Sequence, residues 1–495
     1  MKNSSFSSSV SNIEPLVKYR EVTSAALVDG DYTGRRVLVG YNSLLTFGFS
    51  SDGRWWDWVD EDRFLDWEPL CARQSAVIKK AFRRGSQIHI LLEIERSSNQ
   101  FEKQMVVVDA AEPWKMLDKF VVCDESTLER SVTASSPVLE RVVENPIISP
   151  RSENDWESFT TLNPTAIQLG GRVHLLYRAQ GPDYISSIGY ASSLDGVTID
   201  QRLNKPVFQD LSLGELARQG RAQTTHSSAG GLGGTEDPRA TVIDDKVVMT
   251  YVAYNGWSPP RLAITSIKVD DFMRHRWRWR KPVYISPSNY VDKSGVLFPQ
   301  KIRGKYVMMH RIFPDIQIDY LDDIDFDGSR FIETKSVIRA SSSGWDSRKI
   351  GAGAPPLWTE EGWLLIYYGV DDQFDNFYHM GAMLLDLENP EKVLYRCSDP
   401  ILSPKSHYEM SGFKPGIVYP CGATILNETL FVYYGAADNY VAVAKAPLRE
   451  FLDQLMRCRE PLRQIYSQTI AEDWIQPDHD FSPIYQESAD SALSQ

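Results

Sequence analysis

The sequence predicts an all-β protein built around a five-bladed β-propeller. From about residue 140 onward, a polar turn, an apolar strand ending in aromatic and small residues, and a second strand recur five times, with little helical periodicity between them. The equivalent strand positions are Tyr177, Tyr251, His310, Tyr367 and Tyr433. By subtraction, consecutive positions are 57 to 74 residues apart. Repeats of this length are typical of propeller blades, whereas a β-sandwich would explain the strands but not their recurrence.

Residues 1–140 precede the repeats, and we predict that they form an N-terminal, mostly-β extension. A Ser-rich lead is followed by strand-like runs such as 36–41 and 88–94. The extension also contains a tryptophan cluster in an acidic stretch, formed by Trp55, Trp56, Trp58 and Trp67. A packing face is the favoured interpretation of this cluster, and a sugar platform is the alternative. A role of the extension in substrate length selection or in homo-oligomer formation is also open.

The repeats occupy residues 141–460, which we predict to be the catalytic propeller. Leu448, Phe451, Leu452 and Leu455 fall at helical spacing, so the sequence predicts one helix from Pro447 to about Cys458. The stretch 274–281 alternates basic residues with Trp and is predicted to be a half-buried strand. Residues 461–495 form an acidic, polar tail.

Composition excludes several classes of partner. The net charge of −13 argues against nucleic acid, which requires a basic surface. The N-terminus has no apolar signal segment, and no run reaches the length of a transmembrane helix. The five cysteines are odd in number and widely spaced, which favours free thiols in the cytoplasm. The eight histidines are scattered, so no metal site is predicted.

The stretch Gly-Gly-Thr-Glu-Asp-Pro-Arg, residues 233–239, is the strongest candidate for chemistry. It places Glu236, Asp237 and Arg239 next to a rigid Pro238, at the entry to a predicted strand. A carboxyl beside an arginine in a pocket is a candidate general acid or base. A surface turn with a local ion pair is the structural alternative.

Polar residues that interrupt the apolar pattern recur about once per blade, and a propeller would bring them to one central funnel. They are Asn163, Arg178, Asp237, Arg239, Lys301, Lys349 and Asp438. Each one alone is compatible with a structural role, but their recurrence favours a shared site.

The motifs around these residues resemble those of glycoside hydrolase family 130. They include Asn-Pro-Thr-Ala, Thr-Glu-Asp-Pro-Arg, Val-Leu-Phe-Pro-Gln-Lys-Ile, Lys-Ile-Gly-Ala-Gly-Ala-Pro-Pro and Tyr-Pro-Cys-Gly-Ala, which occur in order over about residues 145–450. The resemblance implies a five-bladed propeller that acts on β-mannosides. Members of the family are inverting β-mannoside phosphorylases and some β-mannosidases.

The resemblance also implies roles for individual residues. Asp237 would be the general acid, acting through a hydroxyl of the bound mannose, while inorganic phosphate attacks the anomeric carbon from the opposite face. The sugar would be bound by Asn163, Arg178, Arg239, Lys349 and Asp438. Phosphate would be bound by Lys301, Arg311, Tyr368 and Tyr378. Phosphate is a co-substrate, and no further cofactor is expected.

One departure from the family pattern keeps a second reaction open. Phosphorylases of the family usually read Tyr-His-Gly where this chain reads Tyr367-Tyr368-Gly369, so Tyr368 stands in the place of a phosphate-binding histidine. An inverting β-mannosidase that uses water is therefore the alternative. It would need a second carboxylate, for which Glu236, Asp371 and Asp372 are candidates. A non-catalytic carbohydrate-binding propeller is a further alternative.

Overall fold

The computed structural model describes the backbone of residues 24–29, 36–42, 44–50, 57–58, 76–84, 87–97, 100–109, 116–121, 136–213, 231–341, 344–371 and 377–458. Asp372, the polar tail and three members of the tryptophan cluster, Trp55, Trp56 and Trp67, lie outside these residues, and Trp58 is described only in its backbone. The two interpretations of the tryptophan cluster therefore stay predictions, as do the domain boundaries at residues 140 and 460.

The N-terminal region contains one eight-stranded sheet. Its strands are β1 (Ser24–Asp29), β2 (Arg36–Asn42), β3 (Leu44–Ser50), β4 (Asp57–Trp58), β5 (Ala76–Arg84), β6 (Gln87–Ser97), β7 (Gln100–Asp109) and β8 (Met116–Val121). They are hydrogen-bonded in the order β4-β3-β2-β1-β5-β6-β7-β8. Neighbours are antiparallel, except that β1 pairs with β5 in parallel. The strand-like runs predicted at 36–41 and 88–94 lie within β2 and β6.

The described residues between 136 and 458 form five antiparallel units. Unit 1 contains β10 (Thr160–Leu169), β11 (Arg172–Gln180), β12 (Ile185–Ser193) and β13 (Ile199–Arg202). Unit 2 contains β14 (Gly233–Ile243), β15 (Lys246–Tyr254), β16 (Arg261–Lys268) and β17 (Val283–Tyr284). Unit 3 contains β18 (Lys293–Leu297), β19 (Tyr306–Ile312), β20 (Asp315–Leu321) and β21 (Ser336–Ile338). Unit 4 contains β22 (Lys349–Ala352), β23 (Leu357–Thr359), β24 (Gly362–Val370), β25 (Tyr378–Leu385) and β26 (Val393–Arg396). Unit 5 contains β27 (Val418–Leu426), β28 (Thr429–Ala436) and β29 (Tyr440–Pro447), and it is completed by β9 (Glu140–Arg141), which precedes unit 1 in the chain.

The units contact one another in sequence order, and the last one also contacts the first. The first strands β10, β14, β18 and β22 pack against one another in succession, β24 packs against β27, and β27 packs against β10. A short parallel pairing of Ile185 and Ser186 with Gly233 and Gly234 joins units 1 and 2 into one hydrogen-bonded sheet. The mostly-β fold is confirmed, and the arrangement as five propeller blades stays a prediction.

The core lies between the units, which explains the nearly continuous apolar strands. Strand β24 is buried along its whole length, and so is β11 after its first residue. A strand covered on both faces has no solvent side, so it loses the alternation of apolar and polar residues that a half-exposed strand shows. Leu365 and Val432 are among the fully buried residues of the cluster that connects units 4 and 5.

A buried tyrosine, an acid and an arginine recur in the units and confirm the internal repeat. The Tyr177 hydroxyl donates a hydrogen bond of 2.7 Å to Glu157, which also accepts one of 2.5 Å from Arg202. Unit 4 repeats the arrangement with Tyr367, Asp346 and Arg396, and unit 5 repeats it with Tyr434, Glu409 and Arg141. The predicted fifth position, Tyr433, is therefore wrong by one residue, because Tyr434 makes these bonds whereas the Tyr433 hydroxyl donates to the Gly196 carbonyl.

Short helices follow some of the strands: α1 (Val269–Met273), α2 (His407–Met410) and α3 (Leu448–Arg457), with a 3-10 turn at Asp155–Glu157. Helix α3 confirms the predicted C-terminal helix. The strand predicted at 274–281 is not formed, although the alternation holds, since Trp277 and Trp279 pack against Tyr190 and Phe208 while the basic residues are largely exposed. None of the described helices is long and apolar enough to cross a membrane.

Candidate active site

Matching bulges in the first strands of units 1 and 2 position Asn163 and Asp237. The register of β10 against β11 shifts between Leu162 and Thr165, and that of β14 against β15 shifts between Glu236 and Arg239. Asn163 and Asp237 each have φ of 48°. Asn and Asp tolerate this left-handed conformation better than most residues, and the proline after each one has no N–H to contribute to a ladder. The sequences Leu-Asn-Pro-Thr and Glu-Asp-Pro-Arg therefore encode the same local structure.

The Asp237 carboxylate is held from one side. Its Oδ1 accepts hydrogen bonds from Asn163 Nδ2 at 2.7 Å and from Arg178 Nη1 at 3.2 Å. Among the described residues, none donates to Oδ2, and Asp237 keeps an exposed fraction of 8%. Burial by itself raises the pKa of this carboxyl, but the charges of Arg178 and Arg239 lower it below its ordinary value. Asp237 thus has one oxygen fixed by two donors and one that accepts no hydrogen bond from a described residue.

Arg178 joins two carboxylates in the same cluster. It is fully buried, and its Nη2 donates to Glu236 Oε1 at 3.0 Å while its Nε donates to Ser186 at 2.9 Å. Asp438, with φ of 50°, belongs to the same electrostatic cluster. Burial raises the pKa of Asp438 to about 6, although Lys414 and Arg178 act in the opposite direction. We call Glu236, Asp237 and Asp438, with Asn163 and Arg178, the carboxylate side.

Gly435 makes room for Asn163. A Cβ atom at Gly435 would collide with Asn163 Oδ1, so a side chain there would displace the residue that holds Asp237. Gly435 lies in β28, next to the loop that carries Asp438. Units 1, 2 and 5 therefore meet at the carboxylate side.

Units 3 and 4, together with the segment between helix α2 and unit 5, contribute a group of cations. Lys293 begins β18 and faces Arg311 of β19 across the ladder, and Lys349 begins β22. Lys349 Nζ and Lys414 Nζ each lie 5.3 Å from the centre of the Tyr378 ring. We call these four residues, together with Tyr378, the cation side.

The pKa shifts indicate a positive potential on the cation side. Burial by itself raises the pKa of Tyr378, but the charges of Lys349, Lys414 and Arg311 lower it to about 8. Burial also lowers the pKa of Lys293, and Arg311 adds to this effect while Glu236 opposes it. A phenol that loses its proton more easily despite burial lies among more positive than negative charge.

The two sides adjoin. Lys293 is among the charges that lower the pKa of Asp237, and both Lys293 and Lys414 act on Asp438. The site therefore combines a carboxyl with one available oxygen, a cluster of hydrogen-bonding groups around it, and a neighbouring positive region.

Comparison with known proteins identifies the family. The family model described as β-1,4-mannooligosaccharide phosphorylase, that of glycoside hydrolase family 130, matches residues 134–457. The chain belongs to glycoside hydrolase family 130.

Named relatives and a solved structure agree with this membership. A 1,2-β-oligomannan phosphorylase of Thermoanaerobacter sp. (strain X514) is 37% identical over 322 residues, which is 63% of this chain and 98% of the relative. A β-1,2-mannobiose phosphorylase of the same organism is 37% identical over 62% of this chain and 96% of its own length. A solved structure, described as showing that this family of mannoside phosphorylases contains glycoside hydrolases that target β-1,2 mannosidic linkages in Candida mannan, is 26% identical, with a TM-score of 0.51, and the match covers 64% of this chain and 95% of that one.

Most of the residues predicted from the family-130 motifs lie in this site. Asn163, Arg178, Asp237 and Asp438 are on the carboxylate side, and Arg311, Lys349 and Tyr378 are on the cation side. Lys349 was predicted to bind sugar; its Nζ lies 5.3 Å from the centre of the Tyr378 ring, and its ligand stays a prediction.

Arg239 has a different position from the one expected for a sugar ligand. It is 2% exposed, and its guanidinium donates to the carbonyls of Gly353 at 2.5 Å and Asp237 at 3.0 Å and to the Tyr419 hydroxyl at 3.2 Å. These bonds fix the backbone at the bulge that carries Asp237. Arg239 is therefore a positioning residue in this structure.

Tyr368, the departure from the family pattern, is buried next to Tyr378 of the cation side. It is 2% exposed, its hydroxyl lies 3.1 Å from Ser294 Oγ, and its ring centre is 5.6 Å from that of Tyr378. Ser294 Oγ lies 3.2 Å from the Tyr419 hydroxyl, which connects Tyr368 to the group that Arg239 holds. Tyr368 thus packs against Tyr378 and helps to fix its position.

Lys301, which was predicted to be a phosphate ligand, is not brought to the site with the other predicted residues. It is exposed at the turn that follows β18, and its Nζ lies 4.4 Å from the centre of the Tyr306 ring. Lys293, at the other end of the same strand, lies in the site instead. Lys293 and Lys414 are the residues that the sequence reasoning missed. For Lys293 a signal was present, since Lys293-Ser294-Gly295 occupies the same bulge as Glu236-Asp237-Pro238, and Ser294 has φ of 56°.

Proposed function

We propose that the protein is an inverting β-mannoside phosphorylase that cleaves a β-1,2-mannosidic bond with inorganic phosphate and releases α-mannose 1-phosphate. The observation that carries this proposal is the cation side, whose Lys293 lies in the bulge of unit 3 that matches the bulge of Asp237 in unit 2 and acts on the Asp237 carboxyl. Arg and Lys provide the charge-assisted hydrogen bonds that phosphate requires. The β-1,2 linkage is taken from the named activities of the two relatives from Thermoanaerobacter.

The proposal includes a five-bladed propeller over residues 141–460, with the site in its central funnel. Support comes from the five units, from the contact of unit 5 with unit 1, and from β9, which adds a strand from the start of this region to the last unit. The residues of the site come from all five units or from the loops beside them. Residues 1–140 would be an extension outside the propeller.

The carboxylate side would bind the mannose whose bond is cleaved. Asn163, Arg178 and Asp438 present donors and acceptors suited to neutral hydroxyl groups, and their conformations are fixed by the bulges and by burial. A rigid set of polar groups can hold the sugar in the geometry of the transition state, because it does not have to reorganise during the reaction.

The chemical step balances without a cofactor. The bond between C1 and the glycosidic oxygen breaks, and its electron pair leaves with that oxygen, which receives a proton that originates on Asp237. An oxygen of HPO₄²⁻ forms the new bond to C1 from the opposite face. Over the whole reaction the phosphate proton ends on the released saccharide, and the anomeric configuration is inverted.

The charges of the site also suggest how Asp237 becomes an acid. Without ligands, neighbouring cations keep the pKa of its carboxyl low, and Lys293 is one of them. A phosphate dianion bound beside Lys293 would offset this positive charge and raise the pKa of Asp237. The acid would then be protonated most readily when phosphate is present, which couples proton donation to the arrival of the nucleophile.

A water-using β-mannosidase is the second candidate function, and the similarity to the solved structure from a study of family hydrolases favours keeping it. Among the carboxylates considered as its base, Glu236 is buried and bonded to Arg178, which makes it a poor base. Asp372 lies outside the described residues, and Asp371, directly after β24, stays a candidate. The nucleophile of a hydrolase is neutral water, which needs no positively charged subsite, whereas the phosphate dianion does. The cation side therefore favours the phosphorylase.

Product analysis tests the proposal. The protein is incubated with β-1,2- or β-1,4-mannobiose, each with and without inorganic phosphate, and mannose and α-mannose 1-phosphate are quantified. We expect sugar phosphate only when phosphate is present, and faster formation from the β-1,2 substrate. Free mannose released equally with and without phosphate would instead identify a hydrolase.

A further inference from the structure

Seven tryptophans lie between residues 136 and 458 of the described structure, and two of them are exposed. Five are packed into the protein, as Trp363 is against Phe298 with its indole N–H donated to the Leu387 carbonyl at 3.2 Å. The two exceptions are Trp257, which is 43% exposed, and Trp358, which is 52% exposed. A single exposed aromatic side chain needs no explanation by itself, so the position of each of the two relative to the candidate site decides whether it is informative.

Trp257 lies on a loop at the end of the sheet that carries the candidate site. The loop, residues 255–260, follows β15 directly, and in β15 Val252 pairs with Glu236 and Tyr254 pairs with Gly234. The far end of the loop is bonded to the cation side, because the Pro260 carbonyl accepts a hydrogen bond of 3.0 Å from the amide of Asp292, the neighbour of Lys293. The loop thus begins three residues after Val252, the ladder partner of Glu236, and ends at Pro260, which is bonded to the neighbour of Lys293.

The loop is rigid, which suits a binding surface. Asn255 Oδ1 accepts hydrogen bonds from the amides of Trp257 and Ser258, both at 3.0 Å, and two prolines follow. These bonds fix the backbone of Trp257, whereas its indole makes no hydrogen bond or ring contact with another described residue. A held backbone with an uncovered ring costs little entropy when a ligand binds.

We infer that Trp257 is a stacking platform for a sugar ring of the mannoside that lies beyond the two rings joined by the bond being cleaved. The inference rests on the proposed function, because it takes the bound saccharide to be a mannoside with its reacting ring at Asp237. The C–H face of a pyranose is apolar, and placing it on an indole removes apolar area from water on both partners. The site around Asp237 is lined by buried charged groups, so the exposed indole at its edge contacts the part of the saccharide that extends outward.

Trp358 provides a matched control. It lies on β23, where it pairs with Trp363 near the start of β24, whereas Lys349 of the site pairs with Val370 at the other end of β24. Both exposed tryptophans can therefore be removed with a similar loss of surface, but only one of them borders the site.

The test measures binding of β-1,2-mannobiose and β-1,2-mannotetraose by calorimetry without phosphate, for the wild type and for Trp257→Ala, Trp257→Phe and Trp358→Ala. We expect Trp257→Ala to raise the Kd of the tetrasaccharide about tenfold, with a smaller effect on the disaccharide, because loss of one stacked ring removes roughly that much binding free energy. We expect Trp257→Phe to recover most of the affinity and Trp358→Ala to change it less than about twofold.

A tetrasaccharide Kd that Trp257→Ala leaves unchanged, or that Trp358→Ala raises equally, would overturn the inference. The result is separable from the reaction type, since saccharide binding is measured whether the enzyme uses phosphate or water. A wild type that binds neither saccharide would overturn the inference together with the mannoside assignment, whereas binding without formation of sugar phosphate would contradict only the phosphorylase.

Discussion

The carboxylate side and the cation side of the site differ in how far their charges are balanced by partners within the protein. On the carboxylate side, Arg178 bonds to both Glu236 and Asp237, and Asn163 supplies a further donor. On the cation side, the pKa of Tyr378 is lowered to about 8 although burial acts against this, so positive charge is in excess. The difference teaches that one half is built to hold a neutral ligand by directed hydrogen bonds, and the other to attract an anion. The predictions below remove one feature of each half in turn.

The largest expected effect is on the acid itself. Asp237→Asn should lower kcat/KM by about a thousandfold or more, because an amide cannot donate the proton that the leaving oxygen needs. The fold should be retained, since Asn tolerates the φ of 48° at this position and its amide oxygen can accept the bonds from Asn163 and Arg178. Steady-state kinetics and a thermal melt check the prediction. Turnover at the wild-type rate, or a variant that unfolds, would contradict it.

The second prediction separates the two halves kinetically. Lys349→Met should raise the KM for phosphate by about 30-fold and leave the KM for mannoside within about twofold, because the lost charge lies beside Tyr378 on the cation side. The matched control is Lys301→Met, an exposed lysine outside the site. Equal increases in both KM values would mean that Lys349 binds sugar, as the sequence alone predicted.

Tyr378 gives the cation side a pH dependence. Below about pH 8 its neutral hydroxyl can donate to phosphate, and above that pH the phenolate repels the dianion, because its pKa is lowered to about 8. The KM for phosphate should therefore rise with pH above about 8 in the wild type. In Tyr378→Phe it should be a few-fold higher at neutral pH but should lose this alkaline rise. A rise of the same steepness in the variant would assign it to another group.

The smallest effect is on stability and belongs to the carboxylate side. The pKa of Asp438 in the folded protein is about 6, above its ordinary value, so the fold loses stability as pH rises from the unfolded pKa of this carboxyl towards 6, and the loss is constant at higher pH. Below its unfolded pKa both states are protonated and the effect disappears. Relative to wild type, Asp438→Asn should gain about 1–3 kcal/mol in free energy of unfolding between pH 4 and pH 7.5. Denaturant titrations at the two pH values measure this change, and a difference that does not vary with pH would contradict it.

The strand pattern of the sequence was enough to predict much of this architecture. The recurring apolar strands, helix α3 and the family-130 motif around Asp237 all correspond to features of the structure. These elements are encoded locally, by periodicity or by a short run of residues. Asn163 and Asp237 were also predictable as partners, because the same Asn/Asp-Pro bulge recurs in two units.

The cation side was harder to predict, because it depends on strand register. Lys293 begins β18, and Lys301 lies in the turn that follows this strand. Which of the two lysines lies in the site depends on the position of the bulge. A one-residue shift likewise separates Tyr433 from Tyr434, since neighbouring residues of a strand face opposite sides. Arg239 lies in the motif from which a sugar ligand was predicted. Its guanidinium, however, donates to three acceptors within the protein: the carbonyls of Asp237 and Gly353 and the Tyr419 hydroxyl.

Direct titration with phosphate tests the central claim, that the two sides of the site bind different substrates. Calorimetry with inorganic phosphate alone would compare the wild type, Asp237→Asn, Lys293→Met and Lys301→Met. The account predicts that phosphate binds to the wild type, to Lys301→Met and to Asp237→Asn, and that binding to Lys293→Met is weaker by tenfold or more, an effect of about 1.4 kcal/mol or greater. Equal phosphate affinity in Lys293→Met and the wild type would contradict it.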